Sequence, residues 1–212
     1  MKNHFPAIKV CGLRDPANIE DVISTHPQYI GFIFYPLSAR FAGELNPEYI
    51  GSIKNVKKTA VFVNASFQEI KIILDKCQFD AVQLHGNESP EFCMQIKKMG
   101  VELIKAFGVD SHFDFNRLAD YIPVADYFLF DTKTSIYGGS GKSFNWEILK
   151  MYPYSKPYFL SGGIGPENFW EAFTFKDDRL YAIDLNSRFE TSPGIKNITL
   201  LKQVLNNKID NE

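Results

Sequence analysis

Eight short runs rich in Val, Ile, Phe and Tyr punctuate this 212-residue chain, separated by longer segments whose apolar residues recur every three or four positions. The strand-like runs are Ile8–Cys11, Tyr29–Phe34, Thr59–Val63, Ala81–Leu84, Glu102–Phe107, Tyr127–Asp131, Tyr158–Ser161 and Tyr181–Asp184. Helix openings are visible between them. Asp15-Pro16-Ala17 pairs an N-cap residue with a first-turn proline, and Ser89-Pro90-Glu91 and Gly165-Pro166-Glu167 repeat that cap-then-proline opening. Ser66 to Cys77 carries a helical stripe of Phe67, Ile70, Ile73, Leu74 and Cys77, and a last helix is expected over Lys196 to Leu205. Repeated strand–helix units admit two architectures. A doubly wound open sheet usually has fewer strands and a G-x-G-x-x-G turn after the first, whereas the first run here ends Lys9-Val10-Cys11-Gly12-Leu13. Eight units in this length fit an α/β fold, a compact single (β/α)8 TIM barrel spanning residues 1–212 without an internal linker.

Composition narrows the function classes. Twenty-three basic against twenty-five acidic side chains leave a formal charge of −2, without the basic excess of a nucleic-acid binder or the polybasic cluster of a membrane anchor. The longest apolar stretch, Tyr29 to Tyr35, is far too short to span a bilayer, and Met1 to Pro6 lacks the apolar run of a signal peptide. Asn64-Ala65-Ser66 and Asn197-Ile198-Thr199 match the glycosylation pattern, yet nothing routes the chain to the secretory path. Three cysteines without a C-x-x-C pair suggest neither a disulfide framework nor a zinc ribbon. A soluble, cytoplasmic protein is expected.

In such a barrel, chemistry belongs at the C-terminal ends of the strands and the loops after them. That rule nominates Cys11, Arg40, Gln83, His85, Asp131, Gly162, Gly163 and the segment from Asp184 to Arg188. Cys77 and Cys93 sit on helical stripes and read as small buried apolar residues. Cys11 lies two residues after Lys9, so both face the barrel interior, where an ammonium would lower the thiol pKa. Closure would make the first and last strands neighbours and bring Lys9 and Asp184 together below Cys11. Asp131 either caps its loop or acts as an acid whose pKa is raised by apolar surroundings. Arg40 is either a solvated charge or a bidentate grip on a planar carboxylate. Gln83 and His85 share one face, and His85 has no ligand partners nearby in sequence, which favours substrate contact or a structural hydrogen bond over metal binding.

Gly162-Gly163 and Ser187-Arg188 follow strands seven and eight, the recurrent phosphate site of this fold, where backbone N–H groups and a helix N-terminus meet the anion. Gly138-Gly139-Ser140-Gly141-Lys142-Ser143 resembles a nucleotide loop but fails its spacing, because Ile136 stands where glycine is required. It reads instead as a loop that closes over a ligand, with Gly139 and Gly141 as contacts.

Taken in order, these pieces resemble the phosphoribosylanthranilate isomerase family of tryptophan biosynthesis. The resemblance rests on Lys9-Val10-Cys11-Gly12-Leu13, Gly31-Phe32-Ile33-Phe34 with Ser38-Ala39-Arg40, and Gln83-Leu84-His85-Gly86. It continues through Asp131, Gly139-Ser140-Gly141, Phe144-Asn145-Trp146, Ser161-Gly162-Gly163-Ile164, Asp184-Leu185-Asn186-Ser187, Phe189-Glu190 and Ser192-Pro193-Gly194-Ile195-Lys196. The family resemblance implies an Amadori rearrangement of N-(5-phosphoribosyl)anthranilate to the 1-deoxyribulose 5-phosphate. It implies no cofactor and no metal, with Asp131 as general acid, Cys11 as general base, Arg40 on the anthranilate carboxylate, and Gly163 and Ser187 at the phosphate. The partner so implied is a small phosphorylated substrate, with no nucleic acid or membrane; monomer and homodimer both stay open. Two positions depart from the family pattern. Ser38-Ala39-Arg40 replaces Ser-Pro-Arg, and Ser187-Arg188 replaces Ser-Gly. Arg188 has three possible fates: to clasp the phosphate, to turn outward while its N–H still serves, or to sit in solvent or pair with a nearby carboxylate such as Glu190.

The rivals are other phosphate-binding barrels and a catalytically dead scaffold. A pentose-phosphate epimerase would want metal-ligand histidines and aspartates at strand ends, and the indole-glycerol-phosphate synthase a lysine and a glutamate. Intact Cys11, Asp131 and Arg40 argue against the scaffold.

Overall fold

A computed structural model describes residues 5–43, 45–133 and 144–209. Eight parallel strands close into a barrel in chain order: β1 (Ala7–Cys11), β2 (Tyr29–Ile33), β3 (Lys57–Phe62), β4 (Ala81–Leu84), β5 (Glu102–Val109), β6 (Tyr127–Thr132), β7 (Tyr158–Leu160) and β8 (Leu180–Leu185). β1 pairs with both β2 and β8, which completes the closure. The (β/α)8 architecture read from the sequence is present, with each strand within two residues of its expected bounds.

Alternation along each strand sorts its side chains between two cores. On β6, Leu129 packs inside the barrel with Tyr29, Ala81, Ile104, Ala106, Phe159 and Ala182. Its neighbours Phe128 and Phe130 face outward, into the layer shared with the helices. Asp131 is the next inward position after Leu129, at the rim. On β1 the same alternation sends Ile8 and Val10 outward and leaves Lys9 and Cys11 to the interior.

The helices open where local chemistry demands. Asp15 accepts from the Asn18 N–H and Pro16 starts α1 (Pro16–Ile23). Asn46 and Pro47 do the same for α2 (Pro47–Ser52). Ser66 and Glu69 form a capping box on α3 (Phe67–Lys76), and Ser89 caps α4 (Pro90–Lys97). Three local expectations differ from the fold. Gly165-Pro166 does not open a helix, because the Asn168 side chain accepts the Gly165 N–H in a turn and α5 (Phe169–Phe173) starts later. The segments after β5 and β6 carry 3-10 turns, Phe115–Tyr121 and Trp146–Met151. The last helix, α6 (Ile198–Ile209), starts beyond Lys196. Lys196 lies instead in a small hairpin of β9 (Glu190–Ser192) and β10 (Ile195–Lys196), turned at Gly194 with φ +85°. Asn18 of α1 holds that hairpin, accepting the Lys196 N–H at 2.7 Å and donating to its carbonyl at 2.9 Å.

Candidate active site

The C-terminal rim of the barrel surrounds an open cleft lined by Cys11, Gln83, His85, Asp131, Ser161, Gly162, Gly163, Asp184 and Ser187 among others. Eight of the twelve nominated residues therefore meet around one space. Arg40 and Arg188 stand outside the lining, and Gly139 and Gly141 lie outside the described residues.

Beneath the cleft, strand register sets Lys9 beside Asp184, and Lys9 Nζ meets Asp184 Oδ1 at 2.8 Å. The ammonium is wholly buried. Ser161 donates to the other carboxylate oxygen at 3.3 Å. The pair expected from closure is therefore present. Burial alone would lower the Lys9 pKa, but the Asp184 carboxylate, with Cys11 beside it as a further partner, outweighs it and holds the value above 10.5. Cys11 departs from the expectation of a lowered thiol pKa. Burial pushes it up, and the pull of Lys9 and Lys196 does not reverse this. Desolvation and the Asp184 carboxylate together penalise the thiolate more than the two ammoniums reward it, so Cys11 rests as a thiol.

Asp131 occupies polar rather than apolar surroundings. The Thr132 N–H donates to Oδ1 at 2.7 Å, and His85 Nε2 stands 3.2 Å from Oδ2. Gln83 Nε2 in turn lies 2.7 Å from His85 Nδ1. Gly162, at φ +90°, makes room for this arrangement, since a Cβ there would come within 2.8 Å of Asp131 Oδ1. The N–H groups of Gly162 and Gly163 make no backbone hydrogen bond among the described residues, leaving two donors beside the cleft.

Arg40 is not solvated. Its Nε and Nη2 grip the Glu190 carboxylate at 2.7 to 3.0 Å, so a protein side chain takes the bidentate edge expected for a ligand. Lys196 donates to the same carboxylate at 2.6 Å and to Asn186 Oδ1 at 2.8 Å, and the Gly194 N–H adds a bond at 3.1 Å. Burial would raise the Glu190 pKa, but Arg40 and Lys196 hold it below the usual carboxylate value. Burial also drives Lys196 down to about 8 despite Glu190. Sequence reasoning missed this cluster. Its available signal was Pro193-Gly194 between two short runs, which marks a hairpin able to bring Glu190 and Lys196 face to face. The Arg188 side chain turns outward and pairs with Glu167, a carboxylate partner of the kind considered from sequence.

The family model for N-(5'-phosphoribosyl)anthranilate isomerase matches residues 8–207. A curated N-(5'-phosphoribosyl)anthranilate isomerase of Parabacteroides distasonis is 45% identical over 201 residues, covering 93% of this chain and 91% of the relative. The crystal structure of phosphoribosyl anthranilate isomerase from Thermus thermophilus matches with a TM-score of 0.85 at 26% identity, over 97% of this chain and 100% of the other. A phosphoribosyl anthranilate isomerase solved in complex with reduced 1-(o-carboxyphenylamino)-1-deoxyribulose 5-phosphate matches at TM-score 0.79 and 29% identity, over 97% and 99% of the two chains.

Proposed function

Because the chain belongs to the N-(5'-phosphoribosyl)anthranilate isomerase family and shares that activity in tryptophan biosynthesis, we propose that Asp131 is its general acid and Cys11 its general base. The observation that carries this reading is that both side chains, from strands on different sides of the barrel, line one cleft above the Lys9–Asp184 pair. Asp131 gives its proton to the furanose ring oxygen as the bond from that oxygen to C1 breaks. The anthranilate nitrogen lone pair then forms the C1 iminium. Cys11 takes the C2 proton, and the C2–H electron pair becomes the C1–C2 double bond of the enolamine. Loss of the O2 proton and protonation at C1 complete the ketone.

The resting thiol must first be ionised, giving its proton to solvent through the open cleft that Cys11 lines. The iminium supplies a further positive charge beside Lys9 and Lys196, which favours thiolate once the ring has opened. The base is thus activated after the acid has acted.

The phosphate is held on the side of the cleft formed by the loops after β7 and β8, by the backbone N–H groups of Gly162 and Gly163 and by Ser187. Helix α5 begins well after these glycines, while a short 3-10 turn, Ser187–Phe189, opens at Ser187 itself. Arg40 meets the anthranilate carboxylate through Nη1, which carries no bond among the described residues. Asp184 stands under the base, and Gln83 and His85 border the acid.

Cys11→Ser and Asp131→Asn test the roles. Each should lower kcat by about a hundredfold or more with KM largely kept, read from the loss of anthranilate fluorescence. Near-normal turnover in either variant, with chemistry rate-limiting, would show the role to be wrong.

A further inference from the structure

His85 and Gln83 face the cleft, where a direct substrate contact is the plainest role for them. Their bonding points elsewhere. An amide nitrogen only donates hydrogen bonds, so the 2.7 Å contact between Gln83 Nε2 and His85 Nδ1 requires a bare Nδ1. The ring proton then sits on Nε2, 3.2 Å from Asp131 Oδ2, which can accept it whether or not the carboxyl carries the proton it gives to the substrate. The amide is itself buried, 1% exposed, and its Oε1 has no partner among the described residues. Turning the amide over would bury its NH2 group, with two donors, in the position where one acceptor now goes unpaired. The Gln83 and His85 contacts therefore fix each other's orientation.

We propose that Gln83 and His85 form a positioning relay for the acid, in which Gln83 sets the His85 tautomer and His85 locks the Asp131 carboxyl. This inference rests on the reading of Asp131 as the acid. Held by the Thr132 N–H on one oxygen and by His85 on the other, the carboxyl cannot rotate about its last bond without losing both contacts. Each oxygen still has a lone-pair direction left on which the carboxyl can carry the proton it gives to the ring oxygen. The relay thus acts on the step that opens the ring, not on the affinity for the substrate, and no proton leaves or joins the imidazole.

Two measurements test it. In the full-length protein labelled with 15N-histidine, two-bond proton–nitrogen correlation spectra should show His85 protonated at Nε2 and bare at Nδ1. An Nδ1-protonated or doubly protonated ring at neutral pH would overturn the relay. In kinetics, His85→Phe keeps a flat ring without the donor and should lower kcat about ten- to a hundredfold while KM stays within about twofold. His85→Asn, which restores an N–H, should recover part of that loss. A raised KM with kcat unchanged would make His85 a substrate contact and sink the proposal. If His85→Phe does not fold, Gln83→Met reads the same relay by mixing the two tautomers and lowering kcat, and unchanged tautomer and kcat would refute it. Asp131→Asn in the same assay separates the two ideas. Retained turnover there overturns the acid reading itself, whereas its loss alongside an unaffected His85→Phe overturns the relay alone.

Discussion

Asp184→Asn removes the counter-charge of an ammonium that has no access to water. Lys9 is 0% exposed and its 2.8 Å partner side chain 5% exposed. Ser161 donates only to the carboxylate and offers Lys9 no charge in return. Leaving such a cation uncompensated costs about 3–5 kcal/mol. For a chain of this length each kcal/mol is worth about 2–4 °C, so the melting temperature should fall by about 6–20 °C. Urea unfolding with matched slopes is the assay. The double variant Lys9→Met/Asp184→Leu replaces both charges by apolar groups and should recover most of the loss, because the pair's attraction largely offsets its desolvation. The pH window follows from the Lys9 pKa. In the wild type its stabilisation is fully present below 10.5 and is lost only as pH climbs through the higher folded value. In Asp184→Asn, burial lowers the Lys9 pKa and the unfolded chain binds more protons, so the deficit should shrink as pH rises from 7 to 9. A cost below about 1 kcal/mol, or a double variant no better than the worse single one, would refute the argument.

Other consequences of the site are open to measurement. Alkylation of Cys11 by iodoacetamide should be slow at neutral pH and accelerate only above pH 9, because burial raises the thiol pKa; a plateau reached below pH 8 would contradict that sign. Glu190→Gln should cost about 3 kcal/mol in urea unfolding and raise KM more than it lowers kcat, since Arg40 and buried Lys196 lose their shared partner. Its deficit should persist at neutral pH and shrink only below about pH 4, because a depressed carboxylate pKa lends stability that vanishes as pH falls through it. Arg188→Gly should leave KM within about twofold across ionic strengths, as the guanidinium is engaged with Glu167; a salt-sensitive rise in KM would place it on the phosphate.

The strands, the barrel and the neighbourhood of Lys9 and Asp184 were all legible in the chain. Their signal is local: inward and outward positions alternate every second residue, and closure leaves β1 only β2 and β8 as neighbours. The same periodicity sent Cys11, Gln83, His85 and Asp131 to one rim. It carried no information on balances among distant groups. The direction of the Cys11 shift depends on how far burial outweighs Lys9 and Lys196, the second of which arrives from a hairpin at the other end of the chain. Arg40 reads as a free grip for a carboxylate until Glu190, 150 residues away, occupies its bidentate edge. Asp131 follows an apolar run, which suggests apolar surroundings, yet His85 from β4 and its own neighbour's N–H make them polar. Residue pattern determines which way a side chain faces. The charge it meets there is decided by segments that only tertiary folding brings together.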